Sequence, residues 1–388
     1  MKKENPSKLK LILTSMHFWL VFFVVVFLVL FFAFPEFMSS AFTYKQGEGI
    51  SNGLSDVIKK IIEPELKPVD PVAYDQKLEE LANNPPPPLP TTKLVIDPKT
   101  GVKTTVTIPA KPAPHYIWPV KTEYPAAGAI LPFSRIIAFY GNLYSKNMGV
   151  LGEYPEEEML AKLQGEVKKW QDADPGTPVI PALHYIAVVA QGSAGADGKY
   201  RARMPGSEID KVLKMADKIH AIVFLDVQVG FSTIQTELPL LSKYLKMPNV
   251  HLGMDPEFSM KGSIRPGKVV GTYDAADINF AADYLAKLVT ENNLPPKILI
   301  VHRYTGPMVT NYKNIKTQPQ VQIVMNMDGW GTQSKKIGTY KNYIYPQPVQ
   351  FTGFKLFYKN DILTPGTAIM TPEAVLKLSP KPIYIQYQ

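Results

Sequence analysis

The sequence predicts an α/β fold, a (β/α)8 TIM-like barrel over residues 131–388, and three observations carry that reading. Eight short apolar runs alternate with helix-like segments from residue 134 onward. Those runs are apolar nearly throughout, the pattern of parallel strands covered on both faces. The region is of roughly the 250 residues that eight such units occupy. A doubly wound open sheet is disfavoured because no glycine-rich phosphate loop follows the first run.

The strand-like runs are RIIAFY (135–140), PVIPALHYIAVVA (178–190), HAIVFLDVQV (220–229) and VHLGMDPEF (250–258), followed by KILIVHRY (297–304), VQIVMNMD (321–328), FTGFKLFY (351–358) and PIYIQY (382–387). Helical segments are expected between them at 155–171, 207–218, 233–246 and 274–292. Shorter candidates lie at 309–315, 334–341 and 371–378. Ser207-Glu208 and Thr371-Pro372-Glu373 have the chemistry of helix starts, a capping oxygen with an acid or proline in the first turn. No helical pattern follows the eighth run, so a piece of residues 40–130 is expected to cover that flank.

Residues 1–10 form a basic tail with Lys2, Lys3, Lys8 and Lys10, followed by an apolar stretch over 11–34 broken only by Thr14, Ser15 and His17. About 20 apolar residues suffice to span a bilayer. The lysines place the tail in the cytoplasm and the rest of the chain outside. The expectation is a single-pass anchor in the cell membrane with an extracytoplasmic domain. Ser39-Ser40-Ala41 offers the competing reading of a cleaved signal peptide, for which the apolar stretch is long. Residues 35–130 read as a proline-rich stalk, stiffest at Pro85-Pro86-Pro87-Pro88-Leu89-Pro90. Helical patches at 55–62 and 74–82 and a hairpin about Asp97–Gly101 interrupt it; a small module packing on the main domain is the alternative.

Composition narrows the function classes. The net charge of +8 comes from scattered lysines, so no nucleic-acid partner is expected. The absence of cysteine excludes disulfides, thiol nucleophiles, cysteine-ligated zinc and a lipid-modified anchor cysteine.

Active sites of such barrels lie at the C-terminal strand ends. There the sequence places Tyr140 and Asn142, Asp226 and Gln228, Asp255 and Glu257, His302 and Arg303, Asp328 and Trp330, Lys355 and Tyr358, and Gln386. Alternation along the strands puts Asp226, Asp255, Glu257 and Asp328 on inward faces. Four converging carboxyls force at least one pKa upward, which suits general acid cleavage of a glycoside. The expected catalytic group is Glu257 as acid, Asp255 orienting it and Asp328 positioning the substrate, with Asp226 and His302 behind them. Tyr140, Asn142, Gln228, Arg303, Trp330, Lys355, Tyr358 and Gln386 are the expected substrate-binding residues. Competing readings make Asp226 a partner of Arg303, Asp255 a turn former, and His184 and His251 core residues. No HxH pair, HExxH motif, GxSxG elbow or P-loop occurs, so neither metal nor cofactor is expected. The segment GSAGADG (192–198) reads as a mobile loop over the barrel mouth.

Two strand ends resemble the chitinase-like glycoside hydrolases of family eighteen. Asp255-Pro256-Glu257 is similar to the Asp-x-Glu pair that ends their fourth strand, and Met325-Asn326-Met327-Asp328 to the Met-x-Tyr-Asp of their sixth. The resemblance implies a barrel in which Glu257 donates the proton. It departs at Val250 and Gly253, where the family has aspartates, at Met327, where it has the tyrosine that positions an acetamido group, and at the Gln386-Tyr387 end, where it has tryptophan. The stretch VLGEY…GSAGADG…DAADIN also looks like uncharacterised bacterial surface barrel proteins. The sequence thus points to a glycosidase-like hydrolase acting on a cell-wall or surface carbohydrate. A non-catalytic barrel binding glycan or protein, or a metal-dependent phosphoesterase or deacetylase, are the alternatives.

Overall fold

A computed structural model of the protein describes residues 66–86, 89–108 and 115–388. The anchor expected at 11–34 and the helical patch at 55–62 lie outside these residues. Among the described residues no helix is long and apolar enough to cross a membrane. One compact unit runs from Leu66 to Gln388.

Eight parallel strands close into a barrel: β1 (Arg135–Gly141), β2 (Val179–Ala190), β3 (Ile222–Val227), β4 (Val250–Met254), β5 (Lys297–Arg303), β6 (Val321–Met327), β7 (Phe351–Leu356) and β8 (Tyr384–Tyr387). Each pairs with its neighbours in chain order, and β8 pairs with β1 to complete the ring. The period-two alternation decides which residues face the axis. Ile136 and Ala138 of β1, Ala182 of β2, Ile222 and Phe224 of β3, Ile298 and Ile300 of β5 and Val324 of β6 form an apolar lower interior. The alternate residues, such as Ile137, Phe139, Leu183, Tyr185, Val223 and Leu225, pack outward against the helices.

The barrel floor is closed by helix α1 (Pro71–Ala82). Asp70 caps it by accepting from the Val72 and Ala73 amides, and Pro71 takes the first turn, where a missing N–H costs nothing. Tyr74 and Leu78, one helical turn apart, bury themselves in the lower interior cluster. The end of α1 is tied to the segment entering β8: the Lys381 amide donates to Leu81 O, and Ser379 Oγ to Ala82 O. The helix therefore lies beneath the barrel and not on the outer flank of β8. The hairpin forms where expected, Thr91–Ile96 against Lys103–Ile108, with Asp97 accepting from the Lys99 and Thr100 amides in its turn.

Outside the strands, α2 (Glu156–Ala173), α3 (Gly206–Asp217) and α4 (Ala275–Asn292) match three expected helices. Helix α4 starts with a reciprocal capping box between Asp274 and Asp277. The helix expected over 233–246 is broken into Ile234–Glu237, a 3₁₀ turn Leu238–Leu241, and Ser242–Leu245. Pro239 is the reason, since it lacks the amide that would continue the ladder. The segment 192–198 is the turn of a hairpin: Arg201–Arg203 returns antiparallel against the end of β2. Arg201 and Arg203 both pair with the buried Glu237, which fixes this hairpin to the loop after β3.

Candidate active site

The upper interior of the barrel is polar. Above the aliphatic floor the inward positions are taken by Tyr140, His184, Asp226, His302, Asn326, Lys355 and Gln386, all buried. Above these a cavity of about 670 Å³ opens at the C-terminal strand ends. Tyr140, Gln228, Asp255, Glu257, Asp328, Trp330 and Lys355 line it, joined by Tyr304, Lys335 and Phe357.

The fourth strand ends earlier than its sequence suggests. After Met254 the chain turns into a 3₁₀ helix, Pro256–Phe258, and Asp255 Oδ1 caps it by accepting the Glu257 amide at 3.0 Å. The proline fits because the first position of such a turn needs no donor. Asp255 Oδ2 accepts from Gln228 Nε2 at 3.2 Å, and the same amide donates to the Tyr140 hydroxyl at 3.2 Å. Asp255 therefore holds the turn that carries Glu257, and Glu257 lies half-buried on the cavity wall beside the Tyr304 hydroxyl.

Opposite charges organise the remaining wall. Lys355 Nζ lies 2.9 Å from Asp328 Oδ1 and 3.9 Å from the centre of the Tyr140 ring. His302 Nδ1 lies 3.1 Å from Asp328 Oδ2. Burial opposes ionisation of Asp328, but Lys355 and His302 outweigh it and hold the carboxyl below its ordinary range. Asp226 is held low in the same way, against its burial, by the His302 and His184 rings. Glu257 goes the other way: burial raises it, and repulsion from Asp328 raises it further. Asp255 is raised well above the carboxylate range, first by burial and then by the charges of Glu257, Asp226 and Asp328. The four acids thus divide into Asp226 and Asp328, held toward ionisation, and Asp255 and Glu257, pushed toward their protonated forms.

Not every expected residue reaches the cavity. Asp226, His302 and Gln386 lie beneath its floor, fully buried, and Asp226 is covered by the Tyr140 hydroxyl that donates to its Oδ2 at 3.0 Å. They can position cavity residues but do not line the cavity. Arg303 follows the inward His302 and so points out, donating to the carbonyls of Thr305 and Gly306, with no bond to Asp226. Tyr358 follows the inward Phe357 and stacks on Tyr387 in the outer layer. Asn142 is used up in the loop after β1, donating to Ile186 O and accepting the Tyr144 amide. Tyr140 cannot serve as a sugar platform, because it is buried and Lys355 occupies one ring face. Trp330 is 49% exposed on the rim, with Lys335 Nζ 4.7 Å from its ring centre. His251 is a core residue, accepting the Ile298 amide. His184 is buried as expected, yet it meets Asp226.

Comparison with known proteins adds little to this geometry. No protein-family model and no curated protein matches the chain. Among solved structures the cellulase Cel5C_n is matched at 13% identity and a TM-score of 0.33, over 57% of this chain and 65% of that one. The chain therefore spans less than two thirds of the length of that relative. The likeness to the family-eighteen chitinases rests on its two short motifs alone.

Proposed function

We propose that the protein is a glycoside hydrolase that cleaves a cell-wall or surface glycan in the barrel mouth, with Glu257 as proton donor. The observation that carries this reading is the pairing of Glu257, pushed toward its protonated form, with the ionised Asp328 on one cavity wall. Glycoside cleavage calls for that division of labour between two carboxyls. Glu257 delivers its proton to the bridging oxygen as the bond to the anomeric carbon breaks. Positive charge then builds on the sugar ring, and the Asp328 carboxylate, kept ionised by Lys355, stabilises it until a water adds to the anomeric carbon and the proton it releases restores the Glu257 carboxyl. Asp255 fixes the turn that aims Glu257, and Trp330 offers a face for a sugar ring at the rim. Met327 packs in the outer apolar layer, so nothing at that position acts on an acetamido group, and the chemistry proposed is direct rather than substrate-assisted.

The pH profile tests the assignment of the acid. Glu257 works protonated, and its folded value lies above the ordinary 4.5. Activity on a panel of soluble β-glucans, chitin oligomers and peptidoglycan fragments should therefore persist above pH 4.5 and fall as pH rises through the raised value. A rate that climbs steadily through that range would mean that a base, not Glu257 as acid, limits the reaction.

Attachment to the membrane through residues 11–34, with the barrel outside, belongs to the same proposal. It is supported by the lysines that precede the apolar stretch. Added protease should digest the barrel on intact cells with the outer envelope removed; complete protection there would place it on the other side.

A further inference from the structure

The centre of the barrel holds a group of side chains that the proposed chemistry does not use. His184, Asp226 and His302 come from β2, β3 and β5, and none exposes any surface. One donor atom from each lies within 4.8 Å of the other two, and His184 Nε2 and His302 Nε2 both face Asp226 Oδ1. The two ring nitrogens stand 3.3 and 3.5 Å from the carboxylate oxygen. None of the three atoms makes a well-aligned hydrogen bond within the described residues. Three bare, fully buried polar atoms aimed at one point are costly unless something satisfies them.

The far side of each group is, by contrast, firmly held. His184 Nδ1 lies 2.6 Å from the Tyr384 hydroxyl and 3.1 Å from Gln386 Nε2. His302 Nδ1 is held by Asp328, and Asp226 Oδ2 accepts from Tyr140. Every ring and carboxylate thus has its outer atom occupied and its inner atom free, the pattern that orients metal ligands. Gly253 on β4 completes the arrangement: a methyl group there would collide with Asp226 Oδ1 and with the His184 ring. Only glycine leaves both side chains room to lean together at this level.

From this geometry we infer that His184, Asp226 and His302 form a binding site for a divalent transition-metal ion of the zinc class. Zinc bonds to nitrogen and oxygen are about 2.0–2.2 Å long, and tetrahedral angles then set neighbouring donor atoms about 3.3–3.5 Å apart. The spacings to Asp226 fall in that range. Two imidazoles and one carboxylate are a donor set that zinc accepts, whereas calcium and magnesium prefer oxygen alone. Three protein donors also leave one coordination position open. The ion would sit one layer beneath the cavity, with Asp328 and Tyr140 of the cavity wall as its outer partners. The inference does not depend on what the cavity cleaves.

The test uses the full-length chain purified in detergent, stripped with a chelator and reloaded with zinc or with cobalt alone. The expected result is one ion retained per chain after dialysis, a melting temperature raised by several degrees, and the strong visible absorption of four-coordinate cobalt. His184→Gln and Asp226→Asn should each lower retention more than tenfold, while His220→Gln, a surface change, should leave it intact. Should both inner variants fail to fold, the wild-type cobalt spectrum decides: bands of a four-coordinate histidine site support the inference. No retained ion, a weak six-coordinate spectrum, or retention unchanged in folded His184→Gln and Asp226→Asn (an adventitious ion only) would overturn it.

Discussion

Replacing Glu257 by glutamine should lower kcat on the cleaved glycan by about 100- to 10,000-fold, the usual contribution of a positioned general acid. Glutamine keeps the shape and the neighbours of Glu257, including the amide that Asp255 accepts, but carries no transferable proton. Folding should survive, and the sign of the linkage says why. The carboxyl is raised in the folded protein by burial and by Asp328. The stability it contributes is complete below its unfolded value and is lost as pH rises through its folded value. At neutral pH a neutral amide avoids that loss, so the melting temperature of Glu257→Gln should equal or exceed that of the wild type. A folded variant with undiminished kcat would remove Glu257 from the mechanism.

Lys355→Met should be the most damaging single change to stability in the barrel mouth. Lys355 and Asp328 are both nearly excluded from solvent, with side chains 3% and 6% exposed, and their charged atoms are 2.9 Å apart. Removing one member of a buried pair leaves the other uncompensated, at a cost of about 3–5 kcal/mol. His302 also touches Asp328, which puts the expected loss near the lower end, about 3 kcal/mol. The cation over the Tyr140 ring goes as well. Lys359→Met is the matched control, because Lys359 pairs with Glu153 while itself 66% exposed. An exposed pair contributes about 0–1 kcal/mol. Urea unfolding of the two variants side by side compares them, and equal midpoints would show that the Lys355–Asp328 pair does not hold the wall together.

The barrel was legible because its strands are buried on both faces and so appear as apolar runs that few other folds produce. The helix broken at Pro239 shows the limit of that signal: apolar spacing alone does not register a missing backbone donor. The role of α1 was hidden for another reason. Tyr74, Leu78 and Ala82 mark a narrow apolar stripe, but nothing local says that its partner is the floor of a barrel whose first strand begins more than fifty residues later.

At the site, alternation accounts for the inward position of Asp226 on β3, whereas Glu257 reaches the cavity from the 3₁₀ turn after β4, where no strand period applies. Stricter use of alternation would have excluded Arg303 and Tyr358, each next to an inward residue. It would also have admitted Tyr304, two positions beyond His302. The meeting of His184 with Asp226 could not be read in this way. In the strand register His184 lies beside Phe224, and the contact depends on side chains leaning across the space that Gly253 leaves. Lys335 reaches the cavity from the helix after β6, where no strand periodicity applies.

Hydrolysis carried out in heavy-oxygen water, with mass spectrometry of the products, tests the central claim most directly. The expected result is a shortened glycan carrying one heavy oxygen at its new reducing end, formed by the wild type and not by Glu257→Gln. Intact glycan throughout the panel, with a folded wild-type protein and an open cavity, would contradict it.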